Sequence, residues 1–268
     1  FKQPLGNFYT KEGILLRWRK LGTSRNSKEI KDITVDYNYV YTTVLEDRWR
    51  TGSIFKRTYH ENFTLDRIPN DGGQSKLFAG QLGKSKGGRP TIVSKYNNQF
   101  FAISANGELI LSYNINPPIN LGWKVIAPCC ISDFTINGDK AYCIGKGGKG
   151  VYITNINDTK NYVKLRGEGG LGGINVDDNY IYAIAADKTV MYISKNNPQK
   201  DTWKRLANCC VKQIKLYNGF IYGIGNDNHI YKININKSIN KKQRNWKKIT
   251  KNPLNGIRRF TLLNNYIY

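Results

Sequence analysis

The chain has 268 residues with 42 basic against 19 acidic side chains, and a formal net charge of +23 on an otherwise globular composition that is 40% hydrophobic. That apolar share is enough for a sizeable core, and no apolar run approaches the roughly eighteen residues of a membrane-crossing helix. The excess of Lys over Asp and Glu excludes an electrically neutral surface and points to a polyanionic partner: nucleic acid, acidic glycan, anionic membrane surface or acidic protein.

Abundant Lys, Asn, Ile and Tyr also reflect AT-rich codons, but such bias does not deplete Asp and Glu. The first residues, FKQPLGNFYTKEG, carry neither a charged-then-apolar signal pattern nor an initiator Met, which leaves processing or trimming open. Compartment and oligomeric state stay open as well.

An internal repeat organises the chain. An aromatic or Leu followed three residues later by Ile or Leu recurs at Trp18, Leu65, Trp123, Tyr162, Trp203 and Trp246. Most intervals are close to the 40 to 45 residues of a four-stranded propeller blade, with a widened one of 58 between Leu65 and Trp123. Short runs with period-two alternation, separated by Asn-, Gly- and Asp-rich turns, read as strands. The predicted fold is therefore all-β, a six-bladed β-propeller of four-stranded antiparallel blades forming a single domain over 1–268.

In chain order, residues 7–10 and 15–21 are read as the two outer strands of a closing blade. Blade I takes 30–36, 38–44, 53–58 and 63–68, within 30–68. Blade II, 91–127, takes 91–96, 99–104, 108–113 and 122–127. Blade III, 131–166, takes 131–137, 140–145, 150–155 and 161–166. Blade IV, 173–206, takes 173–177, 179–184, 189–194 and 202–206, and blade V, 211–249, takes 211–217, 219–224, 229–234 and 245–249. The C-terminal runs 256–262 and 264–268 are the inner strands of the closing blade, so that the first and last strands pair and exposed edges are removed.

On these residues the repeat resembles the tectonin and tachylectin-2-like propeller modules. The matching residues are Trp203, Ile214, Tyr222, Ile224, Ile230 and Tyr231, with further copies at Trp123, Tyr142, Ile144, Val151 and Tyr152. The resemblance covers most of the chain and implies a propeller. Since many members of that family are lectins, it also implies, as the alternative function, a secreted lectin with sugar sites repeated between blades. No sugar-binding motif transfers residue by residue.

Function is sought where the chain departs from its repeat. Residues 69–90 read as an insertion carrying Lys76, Lys84, Lys86 and Arg89 among glycines, and GKGGKG (145–150) repeats that chemistry through Lys146 and Lys149. Glycine beside Lys lets backbone amides and an ammonium group approach the same anion, although solvated flexible loops have the same composition. NINKSINKKQRN (234–245) is read as a second basic loop toward the other end of the blades. Trp49, flanked by Arg48 and Arg50 in a predicted b–c loop, is a contact candidate. The other tryptophans recur with the repeat and read as blade packing.

Cys129-Cys130 and Cys209-Cys210 occupy equivalent positions before an innermost strand. Each pair is open to three states: free small core residues, a vicinal disulfide, or metal ligands. Adjacent Cα atoms, about 3.8 Å apart, lie below ordinary disulfide spacing. CxxC spacing is absent and only two histidines exist, His60 and His229, both read as surface strand residues, so no metal or cofactor is expected. No nucleophile elbow, HExxH or dinucleotide fingerprint occurs, and the expected function is non-enzymatic: a binding or scaffold propeller engaging an anionic polymer or acidic protein.

Overall fold

The computed structural model describes residues 3–4, 30–35, 39–53, 56–69, 76–79, 84–86, 92–97, 99–103, 107–112, 123–127, 130–158, 161–165, 171–240, 244–254, 259–263 and 266–267. For 3–4, 30–31, 35, 39–40, 42–53, 56–69, 76–79, 84–86, 95, 110–112, 123 and 266 it describes the backbone alone. The chain divides into two compact units, Phe1–Cys129 with Arg258–Tyr268, and Cys130–Ile257.

In the first unit, β1 (Gln3–Pro4) is followed by a five-stranded sheet of β2 (Ile30–Val35), β3 (Tyr39–Ser53), β4 (Lys56–Pro69), β5 (Lys76–Ala79) and β6 (Lys84–Lys86). Next come β7 (Val93–Tyr96), β8 (Gln99–Ile103), β9 (Leu109–Ser112) and β10 (Trp123–Ala127), a four-stranded antiparallel meander. The second unit holds three more such meanders. The first is β11 (Ile131–Asn137), β12 (Lys140–Gly145), β13 (Val151–Asn155) and β14 (Tyr162–Lys164). The second is β15 (Gly172–Val176), β16 (Tyr180–Ile184), β17 (Val190–Ser194) and β18 (Lys204–Ala207). The third is β19 (Val211–Tyr217), β20 (Phe220–Gly225), β21 (Ile230–Asn234) and β22 (Lys247–Lys248), with α1 (Ile235–Ile239) after β21. The first unit ends with β23 (Leu262–Leu263) and β24 (Tyr266–Ile267).

Strand order inside these meanders follows from burial. The second strands are buried almost throughout: KAYCIG, YIYAI and FIYGIG expose only their first residue to any extent. Such runs arise where a sheet is covered on both faces, so alternation gives way to continuous apolar sequence. The cover is the neighbouring sheet. Tyr142, Ile144, Val151 and Leu165 form one cluster with Ile174, Ile181 and Ile193 of the next sheet. Tyr182, Val190 and Leu206 join Val211, Ile214, Ile221 and Ile233 in the same way. At the other edge, β14 and β22 are exposed and carry Lys164, Lys247 and Lys248, cations that discourage edge-to-edge pairing.

Turn chemistry is equally local. Asn218 and Gly219, with φ of 47° and 73°, join β19 to β20 in the left-handed conformation that a two-residue hairpin requires.

The first strands of successive sheets lie side by side: β2 with β7, β11 with β15, and β15 with β19. Each of β2, β11, β15 and β19 shifts register after its first residue, between Ile30 and Asp32, Ile131 and Asp133, Gly172 and Ile174, and Val211 and Gln213. Polar side chains at or next to this bulge reach the neighbouring first strand. Asp32 Oδ2 accepts from Val93 N at 2.7 Å, and Asp133 Oδ2 accepts from Ile174 N at 3.2 Å. Asn175 Nδ2 donates to Ile214 O at 2.9 Å.

Three expectations are corrected. No separate strand occupies 53–58: β3 and β4 form one long hairpin in register from Tyr39↔Pro69 to Ser53↔Lys56, and 45–52 is strand, not loop. Residues 69–90 are not structureless, because β5 and β6 both pair with β4. Residues 234–245 begin with a capped helix, in which Asn234 Oδ1 accepts from Lys237 N at 2.9 Å and Ser238 Oγ donates to Asn234 O at 2.7 Å. The N-terminal β1 does pair with β24, but through Gln3↔Ile267 and Pro4↔Tyr266. Residues 7–10 and 15–21 lie outside the described residues.

Candidate functional site

The second and third strands of each sheet in Cys130–Ile257 are joined by turns that differ in one decisive respect. In the β16–β17 and β20–β21 turns an aspartate organises the backbone. Asp187 Oδ1 accepts from Thr189 N at 2.9 Å and Thr189 Oγ1 at 2.6 Å, and Arg205 Nη2 stands 3.3 Å from Oδ2. Asp227 Oδ1 accepts from His229 N at 3.2 Å, Oδ2 from Tyr231 Oη at 2.5 Å, and Lys248 Nζ lies 3.7 Å away. Partial burial opposes ionisation of Asp227, yet these hydrogen bonds and the nearby His229 and Lys248 together hold its carboxyl below the usual range. Burial and the same carboxylate push the Tyr231 phenol up to about 12.

The β12–β13 turn has no acid. Its Lys146–Gly148 segment is a 3-10 turn, with Gly147, Gly148 and Gly150 at φ of 72°, 74° and 112°. Lys146 and Lys149 are exposed. Register adds a third cation. Tyr152 pairs with Lys164, as Met191 pairs with Arg205 and Tyr231 with Lys248. Lys164, exposed, lies over the Tyr152 ring and Lys248 over the Tyr231 ring, each 5.8 Å from the centroid, but Lys248 also faces a turn aspartate, as Arg205 does. The Lys164 chain packs at Gly150, where an added Cβ would stand 3.3 Å from Lys164 Cε. Among the described residues no ion pair involves Lys146, Lys149 or Lys164. Lys164 escaped the sequence reading, although the contrast of KGGKG with ADKT and NDNH was visible there.

The remaining sequence candidates belong to the other unit. Lys76 begins β5 opposite Arg67, while Lys84 and Lys86 lie in β6 opposite Asn62 and His60. Arg89 lies outside the described residues. Arg48, Trp49 and Arg50 are consecutive strand residues opposite Glu61, His60 and Tyr59.

The cysteine pairs are not equivalent. Cys209 and Cys210 form a vicinal disulfide across a cis peptide bond. Cys130 carries a free, exposed thiol, so no bridge links it to Cys129, which lies outside the described residues. Cys143 is buried, and burial with the nearby Asp133 pushes its thiol up to about 12. His229 also departs from expectation. It is buried, with Nδ1 3.0 Å from Thr250 O and 3.1 Å from Thr250 Oγ1. Among the described residues no group of three or more His, Cys, Asp or Glu is placed to hold a metal ion.

The disulfide borders a cleft of about 320 Å³ whose walls include Tyr231 and Trp246 and whose rim carries Asn208, Asn226 and Asn245. Trp246 Nε1 donates to Asn208 O at 2.8 Å, and Asn208 Nδ2 to Asn245 Oδ1 at 2.8 Å. A second cleft, of about 570 Å³, lies toward the opposite ends of β12 and β13 and is lined in part by Lys140, Lys195 and Lys200.

No family model and no curated protein matches the sequence. Solved structures do match the fold. A nidogen/laminin complex structure is 11% identical, with a TM-score of 0.59, over 83% of this chain and 79% of that one. The WD40 β-propeller domain of Doa1 is 10% identical, with a TM-score of 0.55, over 91% and 93%. At such identities the likeness is one of fold alone, and together with the stacked four-stranded sheets it makes this chain a β-propeller.

Proposed function

We propose that the protein is a non-catalytic binding propeller that holds an anionic polymer, nucleic acid or acidic glycan, against the β12–β13 turn. The carrying observation is the substitution within the repeat. Where the two following sheets place Asp187 and Asp227 against Arg205 and Lys248, this turn places Lys146 and Lys149 beside Lys164. Three exposed ammonium groups, none ion-paired among the described residues, attract successive anionic groups of a polymer. The glycines at positive φ let the backbone approach the same groups. The net charge of +23 supplies the long-range attraction. A binding or scaffold role is among the uses this fold supports, and one of the similar structures is a complex between proteins.

The test is retention on immobilised heparin and on single-stranded nucleic acid across a salt series. Each phosphate that a side chain no longer neutralises lowers the log–log salt slope by about 0.7 for single strands. Lys146→Gln, Lys149→Gln and Lys164→Gln combined are expected to lower the slope by about 2. An unchanged slope and elution point would overturn the proposal. Retention that ignores salt, with binding to neutral glycans, would replace it with a lectin function.

A further inference from the structure

We infer that the cleft beside the Cys209–Cys210 disulfide seats one unstacked base of a single-stranded nucleic acid. This rests on the anionic-polymer reading above and names the polymer's class.

The walls suit a flat, polarisable ring. The two sulfurs and Val211 supply apolar, soft surface, and Tyr231 and Trp246 add aromatic rings to the lining, with Lys248 Nζ over the Tyr231 ring 5.8 Å from its centroid. Both rings are held before any ligand arrives. Trp246 packs partly against the core and its indole N–H is committed to Asn208 O, while the Tyr231 hydroxyl is committed to Asp227. Fixed rings lose little freedom on binding, and base stacking on aromatic side chains tolerates any sequence.

The rim suits the edge of a base. Carboxamides carry donors and acceptors in one plane, the pairing by which Asn reads the N6/N7 edge of adenine. Asn226 is exposed at this rim, and Asn208 and Asn245 are already tied into one amide pair. A carboxylate is the strongest acceptor for sugar hydroxyls, and the one carboxylate among the lining residues is largely engaged. Asp227 Oδ1 holds His229 N and packs so closely on Gly225 that an added Cβ there would come within 2.5 Å. Oδ2 receives the Tyr231 hydroxyl and faces Lys248.

The flanks suit the phosphates on either side of such a base. Lys248 is half-exposed beside Asp227, and exposed Lys212, next to Val211, is steered by its bond to Asn228 Oδ1 at 2.5 Å. Lys248 Nζ thus stands beside Asp227, which lines the cleft, and Lys212 Nζ beside Asn228, the next residue of the same turn, so cations from β22 and β19 approach the turn that bears the cleft's acid.

The experiment is calorimetric titration of the intact protein with adenosine monophosphate, ribose 5-phosphate, inorganic phosphate and glucose in turn. Heparin retention is recorded for every variant. Adenosine monophosphate is expected to bind at least about tenfold more tightly than ribose 5-phosphate, the difference being the stacked base. Asn226→Ala, at an exposed turn position, and Trp246→Leu are each expected to erase most of that difference. Lys146→Gln with Lys149→Gln leaves it intact.

Equal affinity for the nucleotide and ribose 5-phosphate would overturn the base seat. So would binding of glucose without the nucleotide, or an undiminished preference in both cleft variants. Heparin retention separates the two proposals: if it still depends on Lys146, Lys149 and Lys164 while the nucleotide fails to bind, the base seat falls and the polymer reading stands.

Discussion

Cys130 immediately precedes β11 and Cys143 lies thirteen positions on in the adjoining β12, yet the first thiol is exposed and the second buried. The thiolate is the reactive form, so a thiol raised to about 12 by burial and by Asp133 is unreactive near neutrality. Iodoacetamide at pH 8, applied to folded protein without reductant, is expected to modify Cys130 and leave Cys143 untouched. Peptide mass spectrometry reads the result, and modification of Cys143 at the rate of Cys130 would show that the strand opens to solvent. The two cysteine pairs also mark a limit of local sequence. PCC and NCC differ by one neighbour and occupy the same place in the repeat, yet Cys209–Cys210 is bridged and Cys130 is free.

Among the elements, the first strands β2, β11 and β15 carry polar residues that bind sheet to sheet. Asn175 is buried and donates to Ile214 O, a bond a carboxylate cannot make. Asn175→Asp is expected to cost about 3 kcal/mol, since it sets a buried charge against a carbonyl oxygen. Burial raises the pKa of this carboxyl in the folded protein, so the penalty should shrink as pH falls from neutrality toward the ordinary Asp value of about 4, the protonated carboxyl regaining a donor. Urea unfolding at pH 7 and pH 4 checks both statements, and a pH-independent penalty would refute the electrostatic account.

These strands were legible in the sequence because their apolar runs and Asn-Gly turns state the sheet in few residues. The β3–β4 hairpin was not. Around Arg48, Trp49 and Arg50 the residues show no two-residue contrast, so nothing local distinguishes a long ladder from a loop. In the same way, KLFA and KSK are too short to declare themselves without β4 as partner. Of the candidate site, Lys146 and Lys149 were visible as composition. Lys164 needed the β13–β14 register, and the Trp246 cleft needed the approach of residues 208–211, 225–231 and 245–246.

On the scale of the molecule, an excess of 23 positive charges repels itself whenever counterions are scarce. Stability is accordingly expected to rise as salt increases from about 10 to 150 mM, over which the screening length falls from about 30 to 8 Å. Differential scanning calorimetry should show a higher Tm at the upper concentration. A flat or falling Tm would mean that the favourable pairs Arg205–Asp187 and Lys248–Asp227 outweigh the repulsion. A bound polyanion should raise Tm further, since it supplies the same neutralisation to the folded form.

The contacts between first strands have a meaning for how such a chain can change. From Asp32 to Val93 and from Asp133 to Ile174, the earlier sheet offers an acceptor to the later one's N–H; from Asn175 to Ile214 it offers a donor to a C=O. Sheets of nearly identical outline are thus joined by two kinds of polar key, an acceptor at two seams and a donor at the third. A swap of Asp for Asn in the key would set like groups against each other at that seam, so this chain can diverge freely on its turns while the side chain at each key is constrained.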